Sequence, residues 1–380
     1  MLYLDNASTT QPYPEVVRVV EESSAQYWGN PSSLHKKGIE AEKLLNSSRK
    51  IIAGMLECDS EEVYFTSGGT ESDNMAIKGC AFANQGRGKH IITTKIEHPA
   101  VLDSCRQLEN MGFQISYLDV DAEGRVDPKS LEKEIKKETI LVSVMQVNNE
   151  VGTIQPLTEI GQIIKEKNFR TLFHVDGAQG FLKVPLQLNK DKIDLYTISA
   201  HKLHGPKGVG ALFVRRGTNI LPLMSGGGQE KGLRSGTENA IGIAAFAKAC
   251  LLSEKISREN EADLLQLRQQ TWEDISTTIE GAVLNGSAEE FASPYILNLS
   301  IKGVRGEVLL HALENEGVFV STGSACSSHK KEISSVLKAM GVAEDIAEGS
   351  IRVSYSFESN FAQVDYFVRA LQNAVCAVRK

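Results

Sequence analysis

Short runs of β-branched and apolar residues punctuate the first 214 positions, and longer amphipathic stretches separate several of them. Runs at Val63–Thr66, His90–Thr94, Gln114–Leu118, Ile140–Gln146, Thr171–Val175, Leu195–Ser199 and Gly210–Val214 read as strands. Stretches at Gly69–Ala83, Pro99–Asn110, Pro128–Lys137 and Leu157–Lys167 read as helices. Strands alternating with helices predict βαβ units, hence an α/β fold with a mostly parallel sheet covered on both faces. In such sheets ligands sit beyond the strands' C-terminal ends. Polar residues and glycines gather there, as in Thr66-Ser-Gly-Gly-Thr70 and Thr93-Thr-Lys95.

The remainder reads differently. A helical stretch from Thr237 to Ile279 reads as a connector between domains. After it, short strands (Tyr295–Ile301, Val318–Ser321, Ile351–Ser354) mix with helices (Gly306–Glu316, Ile333–Met340, Phe361–Val378). This α+β pattern predicts a second, smaller domain. The formal net charge of −7 gives no global attraction to nucleic acid or anionic membrane. The longest apolar run, Ala240–Leu252, is too short to span a bilayer, and no signal peptide is visible at the start. A cytoplasmic protein is expected, with its six dispersed cysteines reduced and most of them serving as small core residues.

Several segments carry candidate chemistry. In Val63-Tyr-Phe-Thr-Ser-Gly-Gly-Thr70 a strand runs through glycines into a helix start, which is an anion cradle suited to phosphate; a tight turn with Thr70 as helix cap is the alternative. Asp176 ends the apolar run of Thr171-Leu-Phe-His-Val-Asp176, where a carboxylate meets a cation or a protonated ring nitrogen, or caps a helix. In Ser199-Ala-His-Lys202, followed by Leu-His-Gly-Pro-Lys-Gly208, the lysine follows a strand and precedes a glycine-rich turn, so it is expected to face a cleft and form a Schiff base. His201 and His204 lack a carboxylate or cysteine to complete a metal site, so none is expected. A phosphate cradle, an Asp for a pyridinium nitrogen and a Schiff-base lysine are the parts pyridoxal 5'-phosphate requires. His98, between a strand and a helix, is placed either to stack on that ring or to make a structural hydrogen bond. Asn149 also ends a strand. Arg352, inside a strand, would clamp a carboxylate or form a surface salt bridge. Cys326 alone among the cysteines sits among small polar residues, where a reactive thiol belongs; a Cys326-x-x-His329 zinc half-site competes, but no second half is visible.

On these segments together with Tyr3-Leu-Asp-Asn-Ala-Ser-Thr-Thr10, Gly29-Asn-Pro-Ser-Ser33, Glu97-His-Pro99, Val147-Asn-Asn-Glu-Val-Gly152, His174-Val-Asp-Gly-Ala-Gln179, Arg234-Ser-Gly-Thr-Glu-Asn239, Gly323-Ser-Ala-Cys326 and Ile351-Arg-Val-Ser354, the sequence resembles the cysteine desulfurases of the class V aminotransferase superfamily. They follow the family order over almost the whole chain. The Ser-Ala-Cys-Ser-Ser loop resembles the subgroup with a longer, mobile cysteine loop. Two departures stand out: Ser8 replaces a common Ala, and the chain ends at Lys380 without the tail that docks an iron–sulfur scaffold.

The resemblance implies the pyridoxal-phosphate-dependent transferase fold (aspartate-aminotransferase-like, fold type I). It implies a large cofactor-binding domain over 14–258, and a small domain from 1–13 and 259–380 that carries the cysteine loop. Lys202 would bear the cofactor, His98 stack on it and shuttle protons, Asp176 bind the ring nitrogen and Gln179 the phenolic oxygen. Gly69, Thr70, Ser199 and His201 would hold the phosphate, joined by Thr237 of the neighbouring subunit of a homodimer. Asn149 and Arg352 would take the substrate carboxylate. Cys326 would attack the sulfur of L-cysteine and carry it as a persulfide to an acceptor protein, an iron–sulfur scaffold or a tRNA-thiolation enzyme, while alanine leaves. A selenocysteine lyase or other β-lyase is the alternative activity. An aminotransferase needs no loop thiol, and a silent scaffold has no use for Lys202, Asp176 and Cys326 together.

Overall fold

The computed structural model describes residues 1–323 and 333–379. In chain order its strands are β1 (Leu2–Tyr3), β2 (Val63–Thr66), β3 (His90–Thr94), β4 (Gln114–Leu118), β5 (Thr139–Ser143), β6 (Leu172–Asp176), β7 (Leu195–Ser199), β8 (Gly210–Val214), β9 (Ala282–Asn285), β10 (Ile296–Ile301), β11 (Val318–Phe319) and β12 (Ser350–Ser354). Seven of them form one sheet in the order β2-β8-β7-β6-β5-β3-β4. Pairing is parallel from β7 to β4 and antiparallel on both sides of β8. The inversion has a simple cause. Helices cross between most parallel strands, whereas the chain turns straight back from β7 into β8, which only an antiparallel pair permits.

β3, β5, β7 and β8 are buried at every position, as a sheet covered on both faces requires. One face is covered by the helix Gly69–Asn84, whose Met75, Ile77 and Cys80 join Leu141, Leu195 and Leu212 in one core. The other packs Val142, Phe173, Val175 and Ile198 into the larger core. The C-terminal ends of β2, β3, β5, β6 and β7 (Thr66, Thr94, Ser143, Asp176, Ser199) lie along one edge of the sheet.

The long helix Ala240–Thr278 packs on the helices Pro14–Gln26 and Lys36–Met55. Beyond it an antiparallel sheet, β12-β10-β9, and the parallel pair β1–β11 complete the strands described. The first residues are tied to the last ones: Leu2 pairs with Val318, and Asp5 bridges to Ser354. Among the described residues no helix is long and apolar enough to cross a membrane.

Sequence expectations differ from the structure in places. The helix expected over 128–137 stops at Glu134, because Ile135 is extended at φ −69°, ψ 120°. The helix expected over 333–340 is Ser335–Ala339, started by Ser334, whose hydroxyl accepts the Leu337 N–H. Cys58 lies in a turn rather than in a helix or strand.

One turn is held under strain. Glu230 and Lys231 adopt left-handed φ values of 46° and 56°. Arg49 meets the Glu230 carboxylate with two bonds of 2.7 Å, and the Phe65 N–H adds a third at 2.8 Å. This ion pair fastens the 229–239 segment to β2 and to the helix Lys36–Met55.

Candidate active site

The glycine turn after β2 forms the first part of the site. Gly68, at φ +152°, precedes the helix Gly69–Asn84, whose first turn leaves N–H groups without helical acceptors. Beside it lies a cavity of about 390 Å³ lined by Ser8, Gly69, Thr70, Ser199, His201 and Lys207, among others. A Cβ on Gly69 would lie 3.7 Å from that of Ser199, so the helix start and β7 approach closely. The buried Ser199 hydroxyl has no hydrogen-bond partner among the described residues. Burial first, then the charges of Lys202, Lys207 and Lys183, push the His201 imidazole down to about 3, so it is neutral at physiological pH. Its Nδ1 pairs with Thr9 Oγ1 at 3.2 Å. Donors, free N–H groups and an orphan hydroxyl around a cavity of this size fit a phosphate.

At the ends of β6 and β7 the sequence's other candidates meet. Asp176 is buried and accepts the Ala178 N–H at 2.9 Å. Burial raises its carboxyl above the ordinary value, and the nearby His98 and Lys202 oppose the rise. Both are therefore within electrostatic reach of Asp176. Gln179 donates to the Ala7 carbonyl at 2.9 Å while its Oε1 stays buried and unpartnered. Lys202 follows β7 in a turn of 3-10 helix, and its Nζ donates to the carbonyls of Ala7 (2.5 Å) and Ser8 (2.8 Å). His98 caps the helix Pro99–Asn110, its Nδ1 accepting the Ala100 N–H at 3.1 Å. The structural hydrogen bond considered for His98 is thus real, and it leaves Nε2 for other work.

The third part joins the chain's two ends. Arg352, inside β12, is buried, which sets aside the surface salt bridge. Nη1 donates to the Asn149 carbonyl (2.9 Å), and Nη2 donates to Asp5 Oδ1 (2.7 Å) and Ser8 Oγ (2.6 Å). Its buried Nε–H has no partner among the described residues. Glu150, next to Asn149, is buried, accepts the Ser334 hydroxyl at 2.5 Å and is raised by burial.

Thr237 is exposed on the segment after Arg234, and Arg234 pairs with Glu71 at 2.7 Å. Cys326 and His329 lie outside the described residues, and with them the cysteine loop and the zinc half-site. Burial pushes the Cys58 and Cys105 thiols up to about 12 and raises Cys80 and Cys250 further. Among the described residues no three metal-binding side chains cluster. His204 instead stacks on Tyr13 at 4.3 Å and pairs with the Gln11 carbonyl at 2.8 Å.

Residue-by-residue reading missed the carboxyls behind the site. Asp73 is fully buried 3.6 Å from His174 Nε2, and burial plus the neighbouring Asp176 push it well above the usual carboxylate range. Glu97, raised to about 8 by burial, accepts the Thr94 hydroxyl and the Met145 N–H. A charged residue flanked by Thr, Ile and His on one side of a strand was the available signal for Glu97. Nothing local marked Asp5 or the carbonyls of Ala7 and Ser8.

Comparison with known proteins gives the class. Residues 2–367 match the aminotransferase class-V family, and the chain belongs to it. Among individual relatives, it is 44% identical over 378 residues to the cysteine desulfurase IscS of Dictyoglomus turgidum, covering 100% of this chain and 95% of that protein. It is 43% identical over 379 residues to a NifS/IcsS protein homolog of Lactobacillus delbrueckii subsp. bulgaricus, covering 97% and 96%. A solved NifS-like protein superposes with a TM-score of 0.93 at 38% identity, covering 99% of both chains. The expected fold is therefore established. Pyridoxal phosphate is the cofactor of this family, and the orphan Ser199 hydroxyl, the orphan Gln179 amide oxygen and the glycine cradle fit it.

Proposed function

We propose that this protein is a cysteine desulfurase: it converts L-cysteine to L-alanine and leaves the sulfur as a persulfide on Cys326. The observation that carries this reading is the convergence of Lys202, Asp176, Gln179 and Ser199 on one edge of the sheet, with two buried polar atoms left unpartnered there. Full-length relatives named as desulfurases support it.

Gly69, Thr70, Ser199 and His201 would hold the cofactor's phosphate, with Thr237 of a second subunit. Asp176 would keep the ring nitrogen protonated, Gln179 would donate to the phenolic oxygen, His98 would cover the ring, and Lys202 Nζ would hold the aldehyde carbon. When bound, pyridoxal phosphate withdraws electrons from the substrate's Cα. Lys202 Nζ takes the Cα proton, and Arg352 and Asn149 orient the substrate carboxylate. Cys326 Sγ attacks the substrate sulfur as the C–S bond breaks, so L-cysteine and one thiol become L-alanine and one persulfide. Burial keeps Cys58, Cys80, Cys105 and Cys250 protonated, which supports assigning the nucleophile to Cys326.

The two-domain division at 14–258 against 1–13 and 259–380 belongs to the same reading, supported by the separate strand sets before and after the long helix. So does a homodimer, supported by Trp28, Leu34, Leu221, Leu223 and Met224, large apolar side chains left exposed. The sulfur acceptor is a protein of iron–sulfur assembly or tRNA thiolation. A cytoplasmic location is supported by the free thiols of the five described cysteines.

The test uses the cofactor-loaded protein with L-cysteine. Wild type should release alanine and form a persulfide that maps to Cys326. Lys202→Ala should lose the visible cofactor band and alanine formation while staying folded. Cys326→Ser should bind cysteine without releasing alanine. Full turnover in either variant overturns the assignment, and loss of the cysteine activity alone in Cys326→Ser, with selenocysteine still turned over, favours the desulfurase over the lyase.

A further inference from the structure

We infer that Asp5 is a resident occupant of the position on Arg352 that the substrate carboxylate must take, and that Ser8 sets how firmly Asp5 is held there. The inference rests on the assignment of Arg352 to that carboxylate.

A guanidinium binds a carboxylate with two parallel donors, and it has two edges that allow this: Nε with Nη2, and Nη1 with Nη2. Both edges include Nη2. Here Nη2 already donates to two acceptors, Asp5 Oδ1 at 2.7 Å and Ser8 Oγ at 2.6 Å. Nη1 gives one hydrogen to the Asn149 carbonyl, and the buried Nε–H has no partner among the described residues. An incoming carboxylate therefore gains a two-donor contact only by taking Nη2 from one of them.

Charge selects Asp5 as the group that yields. The Arg352 side chain is 2% exposed, and Asp5 is its ion-pair partner among the described residues. Substrate exchanges one carboxylate for another at a buried cation, so the cation is never left bare. Asp5, at 20% side-chain exposure, has water within reach to receive it. Ser8 opposes the exchange. Its hydroxyl donates to Asp5 Oδ1 at 2.8 Å while accepting from Arg352, which closes a three-membered ring of contacts. Asp5 itself is fixed by the chain around it: the Ser8 N–H donates to its carbonyl at 3.1 Å, and it bridges to Ser354. The competitor therefore stays next to the site after it is displaced.

Because bound substrate must first break this contact, apparent affinity is scaled down to the fraction of molecules in which it is open. A charge-assisted hydrogen bond of ordinary strength sets that factor at about tenfold.

The experiment titrates the cofactor-loaded protein with L-alanine by calorimetry and measures KM and kcat for L-cysteine. Asp5→Asn should bind L-alanine about tenfold more tightly, and Ser8→Ala about threefold. KM for cysteine should fall in the same proportions. Weaker or unchanged binding in Asp5→Asn would make Asp5 a mere orienting partner and overturn the inference. If Asp5→Asn does not fold, the direction of the Ser8→Ala shift decides in the same way. Arg352→Gln separates the two levels: it should lose L-alanine binding, and wild-type binding in that variant refutes the carboxylate assignment itself.

Discussion

Arg49→Met should lower the protein's stability by about 2–4 kcal/mol, for reasons that can be worked from one buried contact. The Arg49 and Glu230 side chains are 9% and 2% exposed and meet at 2.7 Å. Without Arg49 the Glu230 carboxylate keeps the Phe65 N–H as its donor but loses its counter-charge. Stranding a buried charge in this way costs roughly 3–5 kcal/mol. Part returns, because the freed turn can relax Glu230 or Lys231 out of the left-handed region, a gain of roughly 1 kcal/mol. With an unfolding entropy of about 2.1 cal/mol/K per residue, a chain of this length loses ~1.2 °C per kcal/mol, so the midpoint should fall ~3–5 °C. Calorimetric melting of wild type, Arg49→Met, Glu230→Leu and the double variant forms the assay. The double variant should melt near wild type, since a well-packed apolar pair often replaces a buried ion pair at little loss. A single variant within 1 °C of wild type, or a double variant as poor as the two singles summed, would refute the reasoning.

Three further outcomes are expected. Ser199→Ala should leave the cofactor-free protein as stable as wild type, because its hydroxyl has no partner to lose, yet weaken cofactor binding by about tenfold or more; equal weakening of both properties would contradict it. Glu97, with its carboxyl raised to about 8, keeps in the folded state a proton that the unfolded chain releases near 4.5. Glu97 should therefore contribute a decline in stability as pH rises between those values, and Glu97→Gln should show a shallower decline than wild type and be the more stable by a few kcal/mol at pH 9, as read from melting of the cofactor-free proteins at pH 5 and 9. In Gly177→Ala the new Cβ would fall 2.1 Å from Cζ of Tyr196, whose hydroxyl donates to Gln146 at 2.6 Å. That variant should lose more than about 2 kcal/mol and bind cofactor poorly, whereas a wild-type melting point would show that the β6 end can shift.

Much of the large sheet was legible because its strands are short, β-branched and separated by amphipathic helices. Five of the seven expected runs match strand for strand: β2, β3, β4, β7 and β8. The reversed direction of β8 was not legible, since pairing direction follows from connection geometry and leaves no mark on composition. β9 was not read from the sequence. Asp176, Ser199 and Lys202 could be singled out because each stands where an apolar run ends. What surrounds them could not be. Lys202 meets carbonyls 194 and 195 positions away, and Arg352 meets Asp5 at a separation of 347. Such contacts exist only after the whole chain has closed on itself, and backbone carbonyls look alike in any sequence.

That closure puts a delay into the making of the protein. β1 leaves the ribosome more than 300 positions ahead of its partner β11 and of the β12 residues that receive Asp5. At about 5–20 residues per second, the stretch that supplies the carbonyls for Lys202 and the carboxylate for Arg352 waits roughly 15–60 s for its seat. Through that interval Leu2 and Leu4, both buried in the finished core, lack the cover that β11 and β12 supply. A newly made chain is therefore exposed to chaperones and proteases at its beginning until its last third is complete, and a nascent chain stalled before residue 318 should be cut there first.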